Sequence, residues 1–328
     1  MSIRVLACDD ISSVGLDVLR EAGFEVDSRP GVTERDLLGG VGDYDAILVR
    51  SRTRVSAKLL AAASRLRVVG RAGFGMDRID LDEATARGVV VLHSPDGNSV
   101  TAAAAEFTIG LIFSLARNIP RAHVAMRRQR WEKRRNRGIQ IQGKTLGILG
   151  MGKVGRAVAE RGVALGMVVK GHDPLLTKKA IRSTGAQAVD WDELLSSSDF
   201  LTVHVNASPL TLGLVGSAAF ARMKEGVRLV NCSRGGVVSE AALVSALKSG
   251  KVAAAAVDVF EQEPPWGCAL LESPRVIVTP HLVASTFEAQ IQVAVDLAEQ
   301  VRDFFLEGEV RGIVNAAVLE TGQVETRN

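Results

Sequence analysis

Short apolar, β-rich runs alternate with amphipathic stretches along this chain, and no other feature restricts its fold as much. RVLACD (4–9), FEVDSR (24–29), YDAILVRS (44–51), RVVGRAG (67–73) and VVVLHSP (89–95) read as strands, with helical stretches such as SVGLDVLREAG and SAKLLAAAS between them. Strands that are apolar throughout are buried on both faces, which calls for a parallel sheet covered by helices on each side. A long helical pattern, roughly 100–129, interrupts the series. It then resumes with TLGILG (145–150), MVVKGHD (167–173), DFLTVHV (199–205), VRLVNCS (227–233), VAAAAVDVF (252–260) and RVIVTPH (275–281), and a last helical pattern runs over about 285–307. The expected fold is α/β: two doubly wound parallel-sheet domains joined by two helices, with a ligand cleft between them. A length of 328 residues fits two cores better than one. No residue-level repeat relates the halves.

Composition excludes more than it selects. The chain is 47% hydrophobic and 23% charged, and a net charge of +3 gives no global field for nucleic acid. The start, MSIRVLACDD, has no apolar run long enough for a signal peptide, and we expect no 18-residue apolar stretch anywhere. Cys8, Cys232 and Cys268 lie far apart without metal-ligand spacing, so no metal site is expected. A reduced, cytoplasmic protein without a membrane or nucleic-acid partner follows. The tract RRQRWEKRRNR (127–137) holds seven basic residues in eleven. Nucleic-acid contact is one reading of it; a solvated helix end or a subunit interface is the one adopted.

The stretch GILGMGKVGR (147–156) contains Gly150-x-Gly152-x-x-Gly155. With 32 glycines in 328 residues that spacing arises by chance roughly 0.3 times per chain, so context decides. Gly150 directly follows the strand TLGIL, KVGRAVAERGVALG opens an amphipathic helix, and the next strand ends at Asp173, 23 residues after Gly150. This is a Rossmann fingerprint: a tight turn, a close approach for pyrophosphate, close helix–strand packing, and phosphates at the helix N-terminus. Asp173 then accepts from the adenosine ribose hydroxyls. Its charge repels a 2′-phosphate and favours NAD over NADP, with Lys178 and Lys179 the nearest opposing cations.

NCSRGG (231–236), DVFEQEPP (258–265) and TPHLVAST (279–286) resemble the D-2-hydroxyacid dehydrogenase family. VGRAGFGMDRID (69–80), GNSVTAAAAEFTIG (97–110), ARNIP (116–120) and GKTLGILGMGKVGR narrow the likeness to its short-form, phosphoglycerate-oxidising branch. The resemblance runs from about residue 44 to VNAA (314–317). It implies a flavodoxin-like substrate domain, 1–98 plus 284–328, and a Rossmann NAD-binding domain, 99–283. It implies a catalytic set of Arg234, Glu263 and His281. A histidine titrating near neutrality takes the hydroxyl proton while a hydride leaves C2. A neighbouring glutamate stabilises the protonated ring, and an arginine grips the substrate carboxylate as a fork. A strand-end cap for His281, a surface ion pair for Arg234 and a solvated loop carboxylate for Glu263, with Glu261 its rival, are the structural alternatives.

The same resemblance assigns cofactor contacts to Gly150, Gly152, Lys153, Val154, Gly155, Asp173, Pro174, His204, Val205, Asn206, Cys232, Ser233 and Asp258, the last to the nicotinamide carboxamide. It assigns the substrate carboxylate to the backbone of Ala72, Gly73 and Gly75, and a substrate phosphate to Arg50 and Arg71; Arg78, where the family has asparagine, is expected from its place in the loop to meet a second anionic group or to pair with Asp80 or Asp82. It further implies a homodimer through the cofactor domain and a small 2-hydroxy or 2-oxo acid as substrate, 3-phosphoglycerate in serine biosynthesis before glyoxylate or hydroxypyruvate. An NAD-sensing co-repressor is the alternative from another class. Four departures bear on the substrate: Arg78 replaces the asparagine of GxDNID, Asn206-Ala207 replaces Pro-Leu, Val283 replaces a glycine, and the segment from Asn98 to Glu106 is two residues longer.

Overall fold

The computed structural model describes residues 2–73, 75–94 and 98–321. Phe74 and Pro95–Gly97, which fall in strand and motif segments quoted above, lie outside the described residues. The chain forms two compact units, Met1–Val100 with Thr286–Asn328, and Thr101–Ser285.

The strands are β1 (Arg4–Ala7), β2 (Glu25–Ser28), β3 (Ala46–Val49), β4 (Val68–Arg71), β5 (Val90–His93), β6 (Thr145–Leu149), β7 (Val168–His172), β8 (Gln187–Ala188), β9 (Phe200–Val203), β10 (Val227–Asn231), β11 (Val252–Val257) and β12 (Val276–Val278). The helices are α1 (Ser13–Glu21), α2 (Glu34–Gly40), α3 (Ala57–Ala62), α4 (Leu81–Ala86), α5 (Asn98–Arg117), α6 (Ile119–Arg127), α7 (Lys153–Ala164), α8 (Lys178–Arg182), α9 (Trp191–Ser197), α10 (Ser217–Arg222), α11 (Glu240–Ser249) and α12 (Phe287–Glu307).

In the first unit the order is β2-β1-β3-β4-β5, all parallel. Every residue of β3, AILV, is buried, as a sheet covered on both faces requires. One face packs on α1 and α12, where Leu16, Leu19, Leu297, Val301 and Phe304 meet Val5, Leu48 and Val68. The other packs Leu37, Leu59, Leu60 and Ala84 of α2, α3 and α4 against Ile47, Val69 and Val91.

In the second unit the order is β12-β11-β10-β9-β6-β7-β8, again all parallel. The order reverses between β6 and β9, and in the first unit between β1 and β3. Such switch points are where open α/β sheets leave a crevice beyond the strand carboxyl ends. Helix starts follow their capping signals. Asp80 accepts from Glu83 N, Asp190 from Glu193 N and Thr286 from Ala289 N.

Three sequence expectations change. The 100–129 pattern is two helices, because Asn118 takes a left-handed conformation (φ 53°, ψ 34°) between α5 and α6. α6 ends at Arg127, so most of the basic tract is turn and loop rather than helix, with Trp131 80% exposed. An apolar stretch long enough to cross a membrane does exist, Ser99–Arg117, but half of it is buried, and Ala105, Leu111, Ile112 and Leu115 pack in the core beneath the second sheet. β8 escaped notice because a two-residue edge strand has no periodicity to read.

Candidate active site

The sequence-chosen residues of the second unit all lie at the carboxyl edge of its one sheet. Gly150–Gly155 follow β6, Asp173 and Pro174 follow β7, and His204–Asn206 follow β9. Cys232–Arg234 follow β10, Asp258 and Glu263 follow β11, and His281 follows β12.

The three glycines have three distinct surroundings. Gly150 sits at φ +90°, and a Cβ there would stand 2.6 Å from the carbonyl oxygen of His204, across the switch point. Gly155, in the first turn of α7, would drive a Cβ to 2.0 Å from Gly150 O. Gly152, which precedes α7, faces open space, with nothing within 4 Å of its would-be Cβ. Gly150 thus lets the turn after β6 close on the chain after β9, Gly155 lets α7 close on that turn, and Gly152 keeps clear the space before the helix N-terminus. This arrangement fits a pyrophosphate. Asp173 accepts from Met151 N and from Leu175 N, each at 2.9 Å, so its carboxylate braces the turn and each oxygen keeps a second acceptor site.

His281 Nδ1 lies 2.9 Å from Glu263 Oε2 and 3.2 Å from Oε1. A carboxylate only accepts, so Nδ1 carries the hydrogen and Nε2 is the nitrogen left to act. The Glu263 bond, against the opposing effect of burial, raises the His281 pKa above 6.5, and Asp258 adds to the rise. Burial pushes Glu263 upward, but its bond to His281, aided by Phe260 N and Arg234, holds it below 4.5. The sign of the stability effect differs for the two partners. The contribution of His281 is present below pH 6.5 and lost as pH rises through its folded value. That of Glu263 is present above 4.5 and lost as pH falls through its folded value. Both side chains are partly exposed, 46% and 40%, so solvent screens the pair.

Arg234 Nη1 donates to Ser233 O at 2.7 Å, and its charge acts on both members of the pair. A pocket of about 360 Å³ has His281 and Glu263 in its lining and Phe260, Pro264, Trp266, Leu271 and Val278 among its walls.

The loop carrying His281 is held from beneath. Asp258, with no exposed surface, accepts from Thr279 Oγ1 (2.5 Å), Leu282 N (2.8 Å) and Val283 N (2.9 Å). Burial raises its pKa against those bonds. His281 itself is left-handed, at φ 54°, with its N–H on Asp258 O. Asp258 is therefore the anchor of this loop, and any carboxamide contact would have to be added to a carboxylate already serving three donors. The Cys232 thiol bonds Thr108 Oγ1 at 3.1 Å inside the core, and burial raises its pKa to about 12, so a cofactor contact at this position falls to its backbone rather than to its sulfur. His204 Nε2 is 3.0 Å from Thr202 Oγ1, and burial lowers its pKa to about 4, so the ring is neutral at neutral pH.

In the first unit, Arg50 follows β3, Arg71 ends β4, and Ala72, Gly73, Gly75 and Arg78 occupy the loop beyond it. Arg71, a candidate for a substrate anion, donates through Nε and Nη1 to Gly75 O (2.9 Å) and Ala72 O (2.7 Å), so it also ties down the loop expected to bind the carboxylate. Arg78 is exposed, and its carbonyl accepts from Val55 N. Sequence reasoning passed over Asp9 and Arg52, which stand beside Arg50. The available signal was a carboxylate just beyond the first strand, at the end of the sheet where such folds place their sites.

A dinucleotide turn and a histidine–glutamate pair on one sheet edge agree with the sequence relationships. The chain belongs to the D-isomer specific 2-hydroxyacid dehydrogenase family: residues 109–283 match its NAD-binding domain. It is similar to the D-3-phosphoglycerate dehydrogenase of Archaeoglobus fulgidus, 43% identical over 98% of this chain and 61% of that one. Among solved structures it is similar to a glyoxylate reductase from Paecilomyes thermophila, with a TM-score of 0.84 and 31% identity over 96% of this chain and 99% of that one. It is also similar to the NAD-dependent formate dehydrogenase of Staphylococcus aureus in complex with NAD, with a TM-score of 0.82 and 27% identity over 95% and 99%. The chain spans about three-fifths of the length of the curated relatives it matches (61%, 56% and 59%).

Proposed function

We propose that this protein catalyses the NAD-dependent interconversion of 3-phosphoglycerate and 3-phosphohydroxypyruvate. The observation that carries the reading is the His281–Glu263 pair on the same sheet edge as a glycine turn that fits a dinucleotide. When bound, NAD supplies the hydride acceptor or donor. His281 Nε2 takes the hydroxyl proton during oxidation and returns it during reduction, and Glu263 holds the ring in the tautomer that does so. Arg234 grips the substrate carboxylate and polarises the reacting carbonyl. The amides of Ala72, Gly73 and Gly75 are assigned to the carboxylate, and Arg50 and Arg78 to the phosphate.

Reduction needs the imidazolium. Glu263→Gln keeps an acceptor but loses the charge that raises the His281 pKa, so the alkaline limb of the pH–kcat/KM profile for reduction should move to lower pH. A profile that stays in place would remove Glu263 from this role. The reading also expects NADH to bind more tightly than NADPH. Asp173→Ala should narrow that gap about tenfold or more, the worth of a charge-assisted hydrogen bond. Paired fluorescence titrations measure it, and an unchanged ratio would free Asp173 of the assignment.

A panel of 3-phosphohydroxypyruvate, hydroxypyruvate, glyoxylate and 2-oxoglutarate with NADH tests the substrate. Reduction of glyoxylate at least as efficiently as the phosphorylated acid would favour the second reading, a small 2-oxo acid reductase. The occupation of Arg71 by its own loop favours that reading. No turnover of any of the four would favour an NAD-sensing binding protein. A cytoplasmic homodimer through the second unit completes the proposal. Three free cysteines support the cytoplasmic part and the exposed Trp131 within the basic tract the dimer, which sedimentation of the purified protein checks.

A further inference from the structure

At the switch point of the first sheet, beyond β1 and β3, one carboxylate organises a cationic loop. Asp9 is 3% exposed. It accepts from Arg50 N (2.5 Å), Thr53 N (3.2 Å), Thr53 Oγ1 (2.6 Å) and Arg52 Nε (3.2 Å). The two arginines also reach back to the chain after β1. Arg50 Nη1 donates to Asp10 O at 3.0 Å and Arg52 Nη2 to Cys8 O at 3.2 Å. Four donors on one buried carboxylate fix the 50–53 loop more tightly than a solvent-facing turn requires. Two guanidinium groups, those of Arg50 and Arg52, are thereby gathered with two carboxylates, the buried Asp9 and the exposed Asp10, at the carboxyl end of a parallel sheet, the end where such folds take ligands.

We propose that Asp9 is a positioning residue for the substrate's second anionic group, setting where Arg50 and Arg52 stand by gathering their loop onto its carboxylate. The proposal rests on the reading above that the substrate is a phosphorylated 2-hydroxy acid. Asp9 touches no substrate. It fixes the backbone of Arg50 and the guanidinium of Arg52, so its loss should weaken recognition of a dianion and spare the chemistry at C2. Burial alone would push Asp9 toward the neutral acid, but the four bonds hold its pKa below the ordinary 3.8, so it is ionised throughout the working range.

The test is steady-state reduction of 3-phosphohydroxypyruvate and hydroxypyruvate by the full chain and by Asp9→Asn. The ratio of kcat/KM for the phosphorylated over the unphosphorylated acid should fall about tenfold or more, the size of one charge-assisted contact, with the loss carried by KM. Thr53→Val removes one donor and keeps the carboxylate, so the ratio should fall in the same direction by a smaller factor. It decides the matter if Asp9→Asn does not fold. Equal losses on the two substrates, or a loss confined to kcat, would overturn the proposal and leave Asp9 a purely structural residue. The parent protein separates the two levels. If it shows no preference for the phosphorylated acid, the substrate reading fails and takes this inference with it. If it prefers that acid and the variants keep the preference, only the inference fails.

Discussion

His281→Ala is expected to lower kcat about 10²–10⁴-fold, the usual contribution of a positioned general acid–base, with NADH affinity unchanged. The imidazole is the one group of the pair able to carry a proton both ways near neutral pH, and Glu263 acts on the reaction only through it. The fold should survive. Asp258 holds this loop through Thr279, Leu282 and Val283, none of which depends on the ring. Stopped-flow or steady-state turnover, beside a fluorescence titration of NADH, measures both halves. A variant keeping more than about a third of the parental kcat would remove His281 from the mechanism.

The second large effect separates two glycines of one motif. Gly155→Ala puts a methyl 2.0 Å from the backbone oxygen of Gly150, where neither β6 nor α7 has a flexible side chain to give way. Overpacking of this kind costs about 1–3 kcal/mol or more. The melting temperature should fall by roughly 5 °C or more, and NADH binding should weaken with it as the turn opens. Gly152→Ala meets nothing within 4 Å and keeps an accessible φ of −66°. Its melting temperature should stay near that of the parent while NADH affinity falls, because the new methyl occupies the space before the helix N-terminus. Parental NADH affinity in Gly152→Ala would show that the open space is not where the pyrophosphate lies.

Most of the fold is legible in the sequence because fully apolar strands leave a local mark. RVLACD, TLGILG and VAAAAVDVF each correspond to a strand whose ends fall within a few residues of the run. What escapes is what local pattern does not encode. The break at Asn118 depends on a single backbone conformation, and β8 pairs through two residues with β7. The glycine turn was legible because its spacing carries a mechanism. The company of Glu263 and His281, 18 residues apart in sequence and in hydrogen-bond contact in space, came from the family resemblance alone, since their spacing carries no such mechanism. The occupation of Arg71 by its own loop was not legible, since nothing in the sequence says which way a strand-end arginine turns. Asp9 reaches Arg50 across 41 positions; its place just beyond the first strand is readable in the sequence, but which residues it holds is not.

The left-handed backbone of His281 sets two kinds of selection against each other at one position. A side chain there costs about 1–2 kcal/mol relative to an ordinary conformation, and glycine escapes that cost. His281→Gly should therefore produce an inactive protein that holds its loop with less strain than His281→Ala does. A lineage of this fold that kept cofactor binding but abandoned the chemistry would gain by drifting to glycine at this site.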